Sequence, residues 1–253
     1  MINICIGTEP KTNIPCKVLQ YSILQHTSSQ VKFHLMEGTH WEHRGNIKEG
    51  TGFSLLRWDI PAFFNYQDYA VYLDADQLVL GDIQDLWNYK NKMDFGCIAC
   101  TYQPDKWFKT PEPNTSVMVM DNAACKNDPN WLDGEKLRET INVDTSRKTY
   151  VRIMHAHHLR VQPARLPNDW NSLNVLSQGT KLLHYTQEPK QPWYCPAHAY
   201  SQLWGSWLAN AVSAGLVTLQ EVELEVSRYK PHSNGRRGQG LHPYWLGYLH
   251  GNI

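Results

Sequence analysis

The sequence predicts an α/β fold: a Rossmann-like, mostly parallel central sheet flanked by helices. Three observations carry that expectation. A strand-type alternation opens the chain, a helical repeat follows, and a second alternation comes next, the β-α-β order of a doubly wound sheet. Tyr69 to Leu73 is a short apolar run, as in a strand buried on both faces of a parallel sheet. That run stops at Asp74-Ala75-Asp76, and open α/β sheets bind ligands at the carboxyl ends of their strands.

Each element has its own reason. Ile2, Ile4 and Ile6 alternate with Asn3 and Cys5, and Gly7 breaks the run, so a strand leads into a turn. Pro15 suits a first helical turn, and Cys16, Leu19 and Ile23 follow at helical spacing through about His26. Val31, Phe33 and Leu35 alternate as a second strand. Gly38 to Gly52 is polar, carries Trp41, His43 and Arg44, and reads as a mobile loop. Phe53 to Phe64 reads as a helix that Pro61 bends or ends. The central strand follows, and Leu86-Trp87 begins a short helix or turn. Phe95 to Cys100 and Ser116 to Met120 are further strands. Tyr102 to Pro113, rich in proline and aromatics, has the composition of a surface loop over a site. Asn122 to Arg147 mixes turn signals with a charged helix, and Tyr150 to Leu159 shows no clear period. Ala197 to Val212 is a helix with Tyr200, Leu203, Trp204, Trp207, Leu208 and Ala211 on one face and Gly215 as its stop. Residues 1–226 form the main domain on this view. Residues 227–253 are a short C-terminal extension, basic and Gly-containing at its start and read as mobile.

Composition narrows the function classes. Lys plus Arg and Asp plus Glu number 24 each, which gives no support for bulk nucleic-acid binding. Ten Trp and 13 Tyr suit a core or sugar-stacking surfaces equally well. No apolar run is long enough to span a bilayer, and Met1-Ile-Asn-Ile-Cys5 lacks the basic start of a signal peptide. Cys97-Ile-Ala-Cys100 has redox-motif spacing, but its apolar, strand-like setting favours buried reduced thiols. The expected compartment is the cytoplasm.

Asp74 and Asp76 are the natural place to look for chemistry. In an extended chain they share one face, with small Ala75 between them. They form either a divalent-metal site or a solvated turn with two incidental acids. A carboxylate pair leaves coordination positions open, which is useful if a substrate brings a pyrophosphate. Far along the chain, the strand-like Lys181-Leu-Leu ends in His184, with Lys190 six residues on. Two carboxylates and an imidazole suit Mn²⁺ better than Mg²⁺. His184 as a core histidine and Lys190 as a solvated charge are the alternatives. For His155-Ala-His157-His158 a zinc site lacks a Cys or carboxylate partner at ligand spacing, which leaves a surface or core cluster. Arg236-Arg237 is a solvated tail or a clamp for phosphate or an acidic membrane. Trp41 and Trp107 either stack on sugars or cover core edges.

The combination resembles the retaining glycosyltransferases of family eight, the glycogenin and lipopolysaccharide-galactosyltransferase family, which have the GT-A fold. The carriers are Ile6-Gly7-Thr8, Phe53-Ser-Leu-Leu-Arg57, Leu73-Asp74-Ala75-Asp76, Asn114-Thr115-Ser116-Val-Met-Val, Leu166-Pro167-Asn-Asp-Trp170-Asn171, and His184 through Trp193. They agree with the family in order and spacing. The resemblance implies a UDP-sugar donor held with Mn²⁺ (Mg²⁺ as the alternative) and a hydroxyl acceptor of unknown kind. It implies that Asp74, Asp76 and His184 bind the metal, with Asp74 also near the ribose, beside Ala75. Lys190 and Arg57 then contact the diphosphate. Thr8 holds the uridine, Gly7 lets the backbone approach, and Asn114, Thr115 and Ser116 lie against the donor sugar.

Three departures stand out. Ser116 occupies a position where the family usually has Gly. The Gly-Asp-Gln-type stretch that normally precedes the Leu-Pro motif is missing, and His155 and Asp169 are the nearest substitutes by position for its catalytic polar group. Gln191 is an extra residue before Pro192-Trp193. With no dedicated nucleophile, a front-face route in which a UDP oxygen helps deprotonate the acceptor fits better than double displacement. The rivals are a sugar-1-phosphate nucleotidyltransferase, on the faint phosphate-loop likeness of residues 7–17, and an inactive GT-A module that binds sugar nucleotides.

Overall fold

The computed structural model describes residues 1–9, 12–37, 53–94, 96–104, 108–133, 136–137, 140, 147–187, 190–231 and 239–251. The expectations for Gly38 to Gly52, Phe95, Trp107 and Arg236-Arg237 lie outside them. The fold is α/β, and the chain divides into two units. One comprises Met1–Glu9, Ser28–Asp74 and Ile83–Asn171, the other Pro10–Thr27, Ala75–Asp82 and Ser172–Ile253.

The first unit is built on a six-stranded sheet. Its strands are β1 (Ile2–Thr8), β2 (Val31–Glu37), β3 (Tyr69–Asp74), β5 (Ile98–Gln103), β6 (Glu112–Asp121) and β7 (Ala164–Arg165), in the order β2-β1-β3-β6-β5-β7. The β1–β2, β1–β3 and β5–β7 pairings are parallel, and β6 runs antiparallel to both neighbours. Val71, Tyr72 and Leu73 are fully buried, as the apolar run requires. One face packs on a cluster that includes Cys5, Trp58, Tyr72, Met118, Cys125 and Ile153. The short helices are α2 (Ile60–Phe63), α3 (Ile83–Trp87), α4 (Asn122–Asn127) and α5 (Arg147–Met154).

The second unit holds α1 (Asn13–Gln25), a small sheet in the order β4 (Gln77–Val79), β9 (Leu182–His184), β8 (Ser172–Leu173), and helices α6 (Ser201–Ser213), α7 (Leu219–Ser227) and α8 (Tyr244–Leu249). Its core is aromatic. Tyr185, Trp193, Trp204 and Trp245 are fully buried, and the last two meet edge to face at 5.1 Å. Thr218 and Glu221 form a capping box at the start of α7, and Lys17 of α1 pairs with the same carboxylate.

Several expectations change. Pro61 stands in the first turn of α2, after a 3₁₀ turn over Leu56–Asp59, because a missing N–H costs nothing there. Ile83–Trp87 places Trp87 at the end of a helix, where a start was expected. The expected loop from Tyr102 to Pro113 is strand only at its ends, where β5 runs to Gln103 and β6 begins at Glu112; residues 104 and 108–111 lie outside the strands. Residues 197–200 are turn, and α6 starts at Ser201; Gly215, at φ +75°, stops it as expected. All six cysteines are free, five of them buried, in keeping with Cys97 and Cys100 as reduced thiols.

Candidate functional site

Asp74 is the last residue of β3, and Ala75-Asp76 form a turn before β4 resumes the extended path. The chain is therefore not extended across the motif. Nor is this a solvated turn, since Asp74 and Ala75 are buried at 9% and 1% exposure.

In the first unit, Asp74 is held from two sides. Strand alternation sets Tyr72 on the same face, and its hydroxyl donates to Asp74 Oδ1 at 2.5 Å. Arg57 donates to the same oxygen from Nη2 at 3.0 Å. Its Nη1 donates to the carbonyl and hydroxyl oxygens of Thr115 at 2.6 and 2.9 Å, and its Nε to the Ser54 carbonyl at 2.8 Å. The guanidinium carbon lies 4.7 Å from the centre of the Tyr72 ring. Arg57 is 3% exposed, so its fork ties the Ser54 turn, β3 and β6 together.

Gly7 pairs with Asp74 across β1 and β3. A Cβ there would fall onto the Tyr72 hydroxyl and within 2.7 Å of Phe53 Cδ2. Its bareness thus makes room for the tyrosine that holds Asp74. Thr8, next along, is buried at the strand end.

Asn114 and Ser116 belong to a polar knot around buried Asn171. Asn114 Oδ1 accepts from the Ser116 backbone N–H (3.1 Å), the Ser116 hydroxyl (2.5 Å) and Asn171 Nδ2 (3.2 Å). Asn171 Nδ2 also lies 3.0 Å from Thr101 Oγ1 and 3.1 Å from Ser116 Oγ. The Ser116 hydroxyl, absent where Gly stands, is therefore spent on Asn114. His155 Nδ1 donates to the Pro113 carbonyl at 2.5 Å, so this imidazole steadies the backbone just before Asn114. Asp169 sits in a 3₁₀ turn, Asn168–Asn171, with Oδ1 buried and without a hydrogen bond among the described residues.

In the second unit, Asp76 and His184 meet. Asp76 Oδ1 lies 3.0 Å from His184 Nε2, and Oδ2 accepts from Gln191 Nε2 at 3.0 Å. Gln191 also donates to the Tyr185 carbonyl at 2.7 Å, so the extra residue of the loop is a buried brace for Asp76. The Gln77 amide stands 3.5 Å from His184 Nδ1. The amide nitrogen of Gln77 is the atom that faces Nδ1, so Gln77 and Asp76 hold the imidazole from its two nitrogens. Lys190 is exposed, its backbone N–H donating to the Gln187 carbonyl. Tyr72, Gln77 and Gln191 were missed in the sequence. Only the i, i+2 spacing of Tyr72 and Asp74 on a strand could have marked one of them.

Residues 40–126 match the family model described as glycosyl transferase family 8. Protein CDI of Arabidopsis thaliana is 29% identical over 135 residues, 47% of this chain and 52% of that protein, so the chain spans about half the length of this curated relative. The bifunctional glycosyltransferase WbbM superposes with a TM-score of 0.61 at 13% identity, over 85% of this chain and 51% of its own. The galactosyltransferase LgtC, solved with donor and acceptor sugar analogues, gives 0.58 at 12% identity, over 85% and 100%. The fold is theirs, and the matched segment contains Arg57 and both aspartates.

Proposed function

We propose that the chain is a glycosyltransferase that moves a sugar from a UDP-sugar to an acceptor hydroxyl with the anomeric configuration kept. The observation that carries this is the pairing of Asp76 with His184, a carboxylate oxygen and an imidazole nitrogen 3.0 Å apart, placed as two ligands of a common cation would be. Asp74, two residues earlier, would complete the group of three side chains holding Mn²⁺, with Mg²⁺ as the alternative. When bound, the ion would supply charge that stabilises a departing diphosphate. Lys190 would steady the same diphosphate, and Thr8 would face the uridine, where Gly7 admits it. Thr115 and the Asn114–Ser116 knot would lie against the sugar. Arg57 acts mainly through the residues it fixes, Asp74 and Thr115. His155 and Asp169 stay candidates for the polar group behind the anomeric carbon. Among the described residues no helix is long and apolar enough to cross a membrane. The free thiols support a reducing compartment, the cytoplasm.

UDP release from a panel of UDP-sugars with Mn²⁺ tests this. Activity lost in Asp76→Ala is expected. Pyrophosphate release from UTP and a sugar phosphate would favour the nucleotidyltransferase, and UDP binding without release would favour an inactive module.

A further inference from the structure

The pair Glu112 and His157 has no role in the site described so far. Glu112 opens β6 and is buried, with Oε2 2.6 Å from His157 Nε2. Its Oε1 accepts from the Thr110 hydroxyl at 3.1 Å. A carboxylate accepts only, so neutral His157 carries its proton on Nε2 and its lone pair on Nδ1. Nδ1 has no hydrogen bond among the described residues, and the side chain keeps 17% of its surface exposed. Phe108 stands edge-on to the ring at 5.1 Å. A hydroxyl that orients a carboxylate that orients an imidazole is the arrangement of a general base. The sequence offered His157 no acidic partner at ligand spacing. The fold supplies one from 45 residues upstream.

The location matters as much as the pair. Glu112 and Asn114 are alternate residues of β6, so they share a face about 7 Å apart. Their partners across β5 are Gln103 and Thr101, and both bond to Asn171, through its carbonyl and its amide respectively. The dyad therefore borders the knot that the proposed function sets against the donor sugar.

Resting on that reading, we propose that His157, held by Glu112, is the base for the acceptor. The acceptor O–H bond breaks, its proton goes to His157 Nδ1, and its electron pair forms the bond to the anomeric carbon. The bond from that carbon to the UDP oxygen breaks, and its pair leaves with UDP. The imidazolium, stabilised by Glu112, then returns the proton to solvent. This replaces a UDP oxygen as the proton's first destination. The titratable and charged groups around the dyad are His155, whose ring centre is 6.0 Å away, His158, Tyr102 and Arg165.

The test compares wild type, His157→Gln and Glu112→Gln by calorimetric titration of UDP with Mn²⁺ and by UDP release from UDP-sugars into water across pH. Expected are UDP affinities within about twofold of wild type and release at least ~10²-fold slower in His157→Gln, without the acid limb of the wild-type profile. Glu112→Gln, which keeps the shape, moves that limb to lower pH. Release at the wild-type rate and profile in His157→Gln overturns the dyad alone. If that variant fails to bind UDP, an unmoved limb in Glu112→Gln overturns the dyad instead. Absence of release from every UDP-sugar by wild type overturns the transferase reading and this role with it.

Discussion

Asp76 Oδ1 stands 3.0 Å from His184 Nε2 and is buried, yet it takes no hydrogen bond among the described residues. Gln191 holds the other Asp76 oxygen and Gln77 stands beside His184 Nδ1, so the oxygen and nitrogen are placed as two ligands of one cation would be. Asp76→Ala and His184→Ala are therefore each expected to weaken Mn²⁺ binding at least ~10-fold, and Gln191→Leu to weaken it less. Mn²⁺ titration followed by electron paramagnetic resonance reads this directly, without any sugar. Unchanged affinity in Asp76→Ala would remove the site.

Arg57 separates a structural from a substrate-binding role. Its replacement by Met leaves Asp74 and the Thr115 carbonyl buried without their cation, and breaking such a pair costs about 3–5 kcal/mol. Urea unfolding of Arg57→Met should show that loss with no ligand present. A variant as stable as wild type, but unable to bind UDP, would mark Arg57 as a ligand contact instead.

How far the site could be read from sequence depended on the range of the signal. Asp74 announces itself because an apolar run ends in a carboxylate, and His184 because a second run ends in an imidazole. The strands β1, β2 and β3 follow from periods of two or from continuous apolarity, which are local properties. Both strands of the β5–β6 hairpin were legible, but the first residues of β6 hid behind Pro113, since proline reads as loop while an end position of a strand tolerates it. Gln191 for Asp76 and Glu112 for His157 are partners 115 and 45 residues apart, fixed by tertiary packing alone. No spacing rule could pair them.

Gly7 is expected to resist even one added methyl group. Gly7→Ala drives a Cβ into the Tyr72 hydroxyl and toward Phe53, and overpacking of this kind costs about 1–3 kcal/mol. Tyr72→Phe removes the colliding oxygen, so the double variant should recover part of the loss. A double-mutant cycle by thermal unfolding measures the coupling. Additive effects would mean that the glycine is kept for another reason.

His158 should make stability fall in mild acid. Burial lowers its pKa from 6.5 to about 4, with Asp128 opposing and His157 reinforcing the shift. Its ring packs edge to face on Trp58 at 4.9 Å, and neither ring nitrogen has a hydrogen bond among the described residues. The unfolded chain thus binds a proton near pH 6.5 that the folded chain refuses until about pH 4. More protons on the unfolded state mean that stability rises with pH across that window, and about 3 kcal/mol is lost on going down through it. His158→Phe keeps an aromatic ring against Trp58 and cannot titrate. Urea unfolding at pH 7 and pH 4.5 should therefore show a smaller drop in the variant than in wild type. Equal drops would mean that the protonated ring is solvated in the native state.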